Sequence, residues 1–208
     1  MDIETYLSQQ PTPAIAQDLL GRQLRLVTPA GMMTAWITET EAYLGAQDAG
    51  AHAFKNHQTA RNQALWQSAG TIYIYQMRTQ FLLNFVTQAA GVPECVLIRG
   101  IEPATGLPLM QANRPQPLKN LTNGPGKLMQ ALGLDKQLNG QPLNVGPLHL
   151  QLTPRRVPIK ISTSGRVGIV NKGDWSSAPL RYYVTGNPWV SQSRQRDIDP
   201  ETHGWQAL

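Results

Sequence analysis

The stretch Thr34-Ala35-Trp36-Ile37-Thr38-Glu39-Thr40-Glu41-Ala42-Tyr43 reads as a β-strand, and the rest of the chain is best understood outward from it. Alternation with period two would put Ile37, Glu39, Glu41 and Tyr43 on one face. That face starts apolar and ends in two carboxylates and a phenol. A carboxylate beside a flat aromatic ring suits the breaking of a bond next to a planar group. The competing reading is an exposed sheet face with a solvated glutamate pair, because acidic residues are mostly exposed.

Upstream, Thr12-Pro13 reads as a helix start, with Thr12 as N-cap and Pro13 at the first helical position. Ile15, Leu19 and Leu20 form its apolar stripe and Gly21 its stop. Gln23 to Val27 alternates as a strand. Downstream, residues 45–69 are polar and irregular, long for a connection, and long ordered loops often carry function. Thr71 to Tyr75, Phe81 to Thr87 and Cys95 to Ile101 read as strands, and Pro103 to Asn113 as a short helix. Gly124-Pro125-Gly126-Lys127 is a turn before a helix at Leu128 to Leu132. Shorter strands follow at Leu148 to Leu152, Ile159 to Ser162 and Leu180 to Val184. The pattern predicts an α+β fold: one domain over residues 1–208, with a curved, mostly antiparallel β-sheet flanked by helices.

Composition narrows the class. Of the 208 residues, 41% are hydrophobic and 15% charged, which describes a folded chain with a core of its own. No apolar run approaches the roughly 20 residues of a spanning helix. The acidic start Met1-Asp2-Ile3-Glu4 does not resemble a secretory leader. The single cysteine, Cys95, leaves no internal disulfide, and His52, His57, His149 and His203 lack close metal-ligand spacing. The expectation is a cytoplasmic, monomeric protein with no metal, no cofactor and no membrane partner.

Charge is uneven along the chain. Residues 99–196 carry 13 Lys/Arg against three acids, Glu102, Asp135 and Asp174. A basic second half suggests a surface for a polyanion, nucleic acid first. Within it, Gly124-Pro125-Gly126-Lys127 offers backbone N–H groups and a lysine to a phosphate. It lacks P-loop spacing, and a structural turn with an exposed lysine remains the alternative.

Several of these segments together resemble the alkyladenine (3-methyladenine) DNA glycosylases. They are Glu39 to Gly45, Asp48, His52, Gln58-Thr59, Arg61-Asn62, Gly70 to Tyr75, Asn84 and Cys95 to Arg99 with Glu102-Pro103. Further on come Gly124 to Leu128, Arg166-Val167-Gly168, Pro179 to Val184 and Gly186 to Ser191. The resemblance spans about residues 10–193, in family order, and leaves 194–208 as a variable tail.

The resemblance implies an enzyme that flips an alkylated or deaminated purine from double-stranded DNA and hydrolyses its N-glycosidic bond. The lesions in view are 3-methyladenine, 7-methylguanine, hypoxanthine and ethenoadenine. A monofunctional enzyme of this kind leaves an abasic site without cutting the strand. Carried over, Glu41 would be the general base that activates water, its ionised form favoured by a neighbouring cation. Arg99 and the Val167 backbone would hold the water, and Arg99 would also face a phosphate. Tyr43, His52 and Tyr75 would enclose the base, and Asn84 would form the pocket floor and exclude guanine. Thr59 and Lys127 would touch the DNA backbone. Tyr73 and Trp189 read as core, Glu39 as a structural acceptor, and Arg181 as an ion-pair residue.

One segment departs from the family pattern. Arg78 stands where the family usually has a duplex-wedging tyrosine, and Thr79 where it has glycine. Arginine can stack on bases, yet an exposed guanidinium is mobile, so the base would be held more loosely. Two other classes compete with a glycosylase. A damaged-DNA binder would not need Glu41 beside Arg99. A carbohydrate glycosidase would use Glu39 and Glu41, but same-face neighbours about 6–7 Å apart point in parallel and flank a bond poorly.

Overall fold

The computed structural model describes residues 1–207. Its helices are α1 (Ile3–Ser8), α2 (Thr12–Asp18), α3 (Leu107–Asn113), α4 (Leu118–Leu121) and α5 (Pro125–Leu132). Its strands are β1 (Arg22–Thr28), β2 (Gly31–Tyr43), β3 (Ile72–Met77), β4 (Gln80–Thr87), β5 (Glu94–Thr105), β6 (Leu148–Arg155), β7 (Ile161–Ser164) and β8 (Arg181–Val184). The strands form one open, eight-stranded antiparallel sheet in the order β3-β4-β5-β2-β1-β6, extended by β8 against β2 and β7 against β8. The α+β single-domain expectation holds. No helix among the described residues is long and apolar enough to cross a membrane.

The 13-residue β2 organises the sheet. Its first half pairs with β1 and its second half with β8, while β5 runs along its other edge. Two of the three register shifts in the β2–β5 ladder flank Glu39, one between Ile37 and Glu39 and one between Glu39 and Thr40. The first leaves Thr38 as an extra residue on β2, and the second leaves Arg99 extra on β5. A bulge of this kind re-aims side chains. The simple alternation through Ile37 therefore fails. Ile37 packs in the main core with Ala35 and Ala42, while Glu39, Glu41 and Tyr43 face away from it. Gly100 sits at the same bulge, where an added Cβ would lie 2.4 Å from the Trp189 carbonyl oxygen.

The two faces of the sheet bury different things. The main core holds Leu19, Leu20, Phe85, Ile98, Leu128 and Leu132, joining α2 and α5 to one face. Tyr73, Val86 and Cys95 alternate to the other face and pack with Ala53, Ala64 and Leu65 from the 44–70 connection. That connection is built from short 3₁₀ turns at Gly45–Gln47, Phe54–Asn56 and Gln63–Trp66.

Several local expectations need correction. Pro11, not Thr12, is the N-cap of α2; Thr12 Oγ1 instead donates to Glu94 at 2.5 Å. Proline at 103 does not begin a helix, because β5 runs on to Thr105 and α3 starts at Leu107. Helix α5 opens at Pro125, so the glycine-proline-glycine-lysine segment is its first turn and not a preceding turn. Strand β7 lies two residues later than expected. The helix α1 went unforeseen; Asp2 caps it by accepting from the Thr5 N–H at 2.8 Å.

Candidate active site

Cross-strand register assembles the site. On the second face, Tyr73 of β3 lies opposite Asn84 of β4, Asn84 opposite Leu97 of β5, Leu97 opposite Glu41 of β2, and Glu41 opposite Arg181 of β8. This row runs beneath the 44–70 connection and the Arg166–Ile169 loop. Between them lies a cavity of about 310 Å³, within the size range of small-ligand pockets. Tyr43, His52, Tyr75, Asn84, Arg99 and Val167 all line it.

Glu41 is fully buried and is not itself among the lining residues; it lies behind Tyr43, Arg99 and Val167, which do line the cavity. Its Oε1 accepts from the Val167 N–H at 2.7 Å and lies 3.3 Å from Arg99 Nε. Its Oε2 accepts from the Tyr43 hydroxyl at 2.8 Å, which leaves a lone pair on that oxygen. Burial pushes the carboxyl pKa up and prevails over the opposing pull of Arg99, the Val167 N–H and the Tyr43 hydroxyl. The expected pull of the neighbouring cation toward the ionised form is present, and desolvation of the buried carboxylate is the larger effect.

Arg99 is held from behind. Its Nε donates to Glu39 Oε1 at 2.9 Å and its Nη2 to Ser191 Oγ at 3.1 Å. Glu39, fully buried, also accepts from Arg181 Nε at 2.7 Å and from the Ser191 N–H at 2.6 Å. Arg181 is thus an ion-pair residue and Glu39 a buried acceptor. Arg99 itself is buried, engaged through Nε and Nη2, and still among the residues lining the cavity.

The aromatic walls are fixed by polar partners. His52 stacks on Tyr75 with ring centroids 3.7 Å apart, and its Nδ1 lies 2.9 Å from the Tyr73 hydroxyl. Desolvation first and the Arg61 charge second push the His52 pKa down to about 4, so the ring is neutral near pH 7. Tyr73 is core, as expected, and orients His52. Behind Tyr43, the guanidinium of Arg166 lies 4.6 Å from the ring centroid and forms a buried, two-pronged pair with Asp48. That pair ties the Arg166–Ile169 loop to the 44–70 connection and so aims the Val167 N–H. At the floor, Asn84 Nδ2 donates to the Tyr73 and Leu82 carbonyls, each at 3.1 Å, which holds the amide in place.

The expected DNA-contact residues lie outside the cavity. Arg78 is exposed at the tip of the β3–β4 hairpin with φ of 54°, a left-handed conformation that suits glycine better than arginine. Lys127 Nζ donates to Asn123 Oδ1 at 2.8 Å in the first turn of α5, whose Pro125 reaches the cavity. The Thr59 N–H donates to Asn62 Oδ1 at 2.7 Å and shapes the connection locally. Sequence reasoning missed Ser191, Leu65, Met77, Leu82, Leu97 and Ile169. Only Ser191 lay within a flagged motif as a polar residue, and apolar lining carries no local signal of its own.

The family model described as "Methylpurine-DNA glycosylase (MPG)" matches residues 6–188. The chain belongs to this family. A "Putative 3-methyladenine DNA glycosylase" of Lactiplantibacillus plantarum is 68% identical over 203 residues, covering 98% of this chain and 97% of its own length. Proteins of the same name from Latilactobacillus sakei and Staphylococcus saprophyticus are 48% and 43% identical over 96% and 95% of this chain. The family match begins within α1, earlier than the motifs suggested, and stops before Ser191, which braces Arg99. The family supports a DNA glycosylase of methylated purines, with DNA as the substrate it engages.

Proposed function

We propose that this glycosylase draws an alkylated or deaminated purine out of duplex DNA into the cavity and hydrolyses its N-glycosidic bond, leaving an abasic site. The observation that carries the reading is the buried Glu41 carboxylate, held directly behind the cavity lining by Val167, Arg99 and Tyr43 with one lone pair of Oε2 left over. A water bound there loses its proton to Glu41 as its oxygen bonds C1′, and the bond electrons pass to the departing base. The ionised carboxylate also stabilises the oxocarbenium-like sugar. Burial raises the Glu41 pKa toward the range where a base works well near neutral pH.

Tyr43, His52 and Tyr75 supply flat faces for the flipped base, and neutral His52 leaves Nε2 without a protein partner among the described residues. Asn84 cannot swing aside, so a guanine 2-amino group meets a fixed side chain. Arg78 would fill the gap left in the duplex, and Lys127 and Thr59 would touch phosphates. Among the described residues no lysine lines the cavity to form a covalent adduct with the sugar, which supports a monofunctional enzyme.

The test is incubation with duplexes bearing one hypoxanthine or one 3-methyladenine beside an undamaged control. Abasic sites on damaged duplexes, lost in Glu41→Gln while binding survives, are expected. Binding without excision by the wild type would instead make this a damage-recognition protein.

A further inference from the structure

We infer that Arg61, standing behind Tyr75, biases the cavity toward uncharged damaged purines over cationic ones; the inference rests on the glycosylase reading above. Arg61 has no part in the roles already described, and its side chain is exposed. Its guanidinium lies 5.2 Å from the Tyr75 ring centroid, and Nη2 is anchored on the Gln76 carbonyl at 2.8 Å. Tyr75 and His52 line the cavity; Arg61 does not. The other aromatic wall, Tyr43, is also backed by an arginine, but Asp48 neutralises Arg166 there. Arg61 forms no ion pair among the described residues, so its charge behind the wall is uncompensated.

A ring that already faces one cation attracts a second less strongly, and like charges repel through the wall. The same charge opposes protonation of His52, so its reach extends to the cavity surface. The chemistry then separates two classes of lesion. As the bond breaks, both its electrons pass to the base, hydroxide from water joins C1′ and the water's proton goes to Glu41. Hypoxanthine departs with growing negative charge, which Arg61 stabilises, and afterwards takes up a proton. 7-Methylguanine is cationic before cleavage and departs neutral, so Arg61 opposes its entry.

The experiment compares wild type, Arg61→Gln and Arg61→Lys on duplexes bearing hypoxanthine or 7-methylguanine, by binding competition and by single-turnover excision. His52 is titrated by NMR in all three. Arg61→Gln is expected to shift the preference toward 7-methylguanine about fivefold. Its His52 pKa should rise, and Arg61→Lys should restore most of both properties. Equal weakening on the two lesions with a smaller salt dependence would mark Arg61 as a phosphate contact and overturn the inference. An unmoved His52 pKa would overturn it too. Failure of the wild type to make abasic sites on any lesion refutes the glycosylase reading alone. The binding ratio and the His52 titration still decide the role of Arg61.

Discussion

Glu41 and Glu102 are both buried carboxylates on the central strand pair, and they are used in opposite ways. Glu102 accepts from Arg156 Nη1 at 2.8 Å, Asn187 Nδ2 at 2.8 Å and Trp205 Nε1 at 2.6 Å, with His203 Nδ1 at 3.4 Å. Each of its oxygens has two partners. Glu41 has three partners, all of which line the cavity, and an unfilled position on Oε2. A saturated buried carboxylate ties segments together; an undersaturated one beside a cavity is available for chemistry. The segment Glu102 ties down is the C-terminal one, where Trp205 is buried and Gln206 N–H donates to the Val157 carbonyl at 2.8 Å. The tail that lacked family motifs is therefore a docked part of the fold.

The contrast can be broken most forcefully at Glu41. Glu41→Gln should slow excision by at least about 10²–10⁴-fold while duplex affinity stays near wild type. Near wild-type excision by that variant would remove Glu41 from the mechanism. Glu102→Ala should do the reverse. It leaves Arg156, Asn187 and the Trp205 N–H without their acceptor and should cost about 3–5 kcal/mol by denaturant titration. The folded fraction should excise normally, and a large fall in its turnover would join the two regions functionally.

Stability against pH sharpens the comparison. The folded Glu41 pKa is raised, so its protonated form is favoured in the fold and its ionisation costs stability. Wild-type stability should thus fall as pH rises from the ordinary glutamate range through the raised value. Activity should rise across that same interval. Glu41→Gln should be more stable than wild type above it, with the gap closing in acid. A wild type that is more stable than the variant at neutral pH would contradict the burial argument.

The smallest effect is expected at the hairpin tip. Arg78→Tyr should tighten binding to a hypoxanthine duplex by a few-fold, because a packed aromatic plug is less mobile than an exposed guanidinium. Tighter binding by the wild type would show that the arginine is the better plug.

Much of the arrangement was legible in local pattern. Alternation located the strands, and the Glu41-Tyr43 spacing put a carboxylate beside a phenol on one face. Element ends were less legible. The β5 strand continues through Pro103 because proline is tolerated where its missing N–H does not interrupt a paired ladder. The bulges at Thr38 and Arg99 left no mark that period two could read.

The residue types by themselves determined the α+β class, the strand bearing Glu39, Glu41 and Tyr43, and the family. These follow from short-range periodicity and motif order. Only the tertiary structure decided that Arg99 bulges toward both carboxylates, that the Val167 N–H grips Glu41, and that burial outweighs the cation in setting its pKa. Those outcomes depend on groups far apart in the chain and on the exclusion of water, and neither is encoded in any one segment.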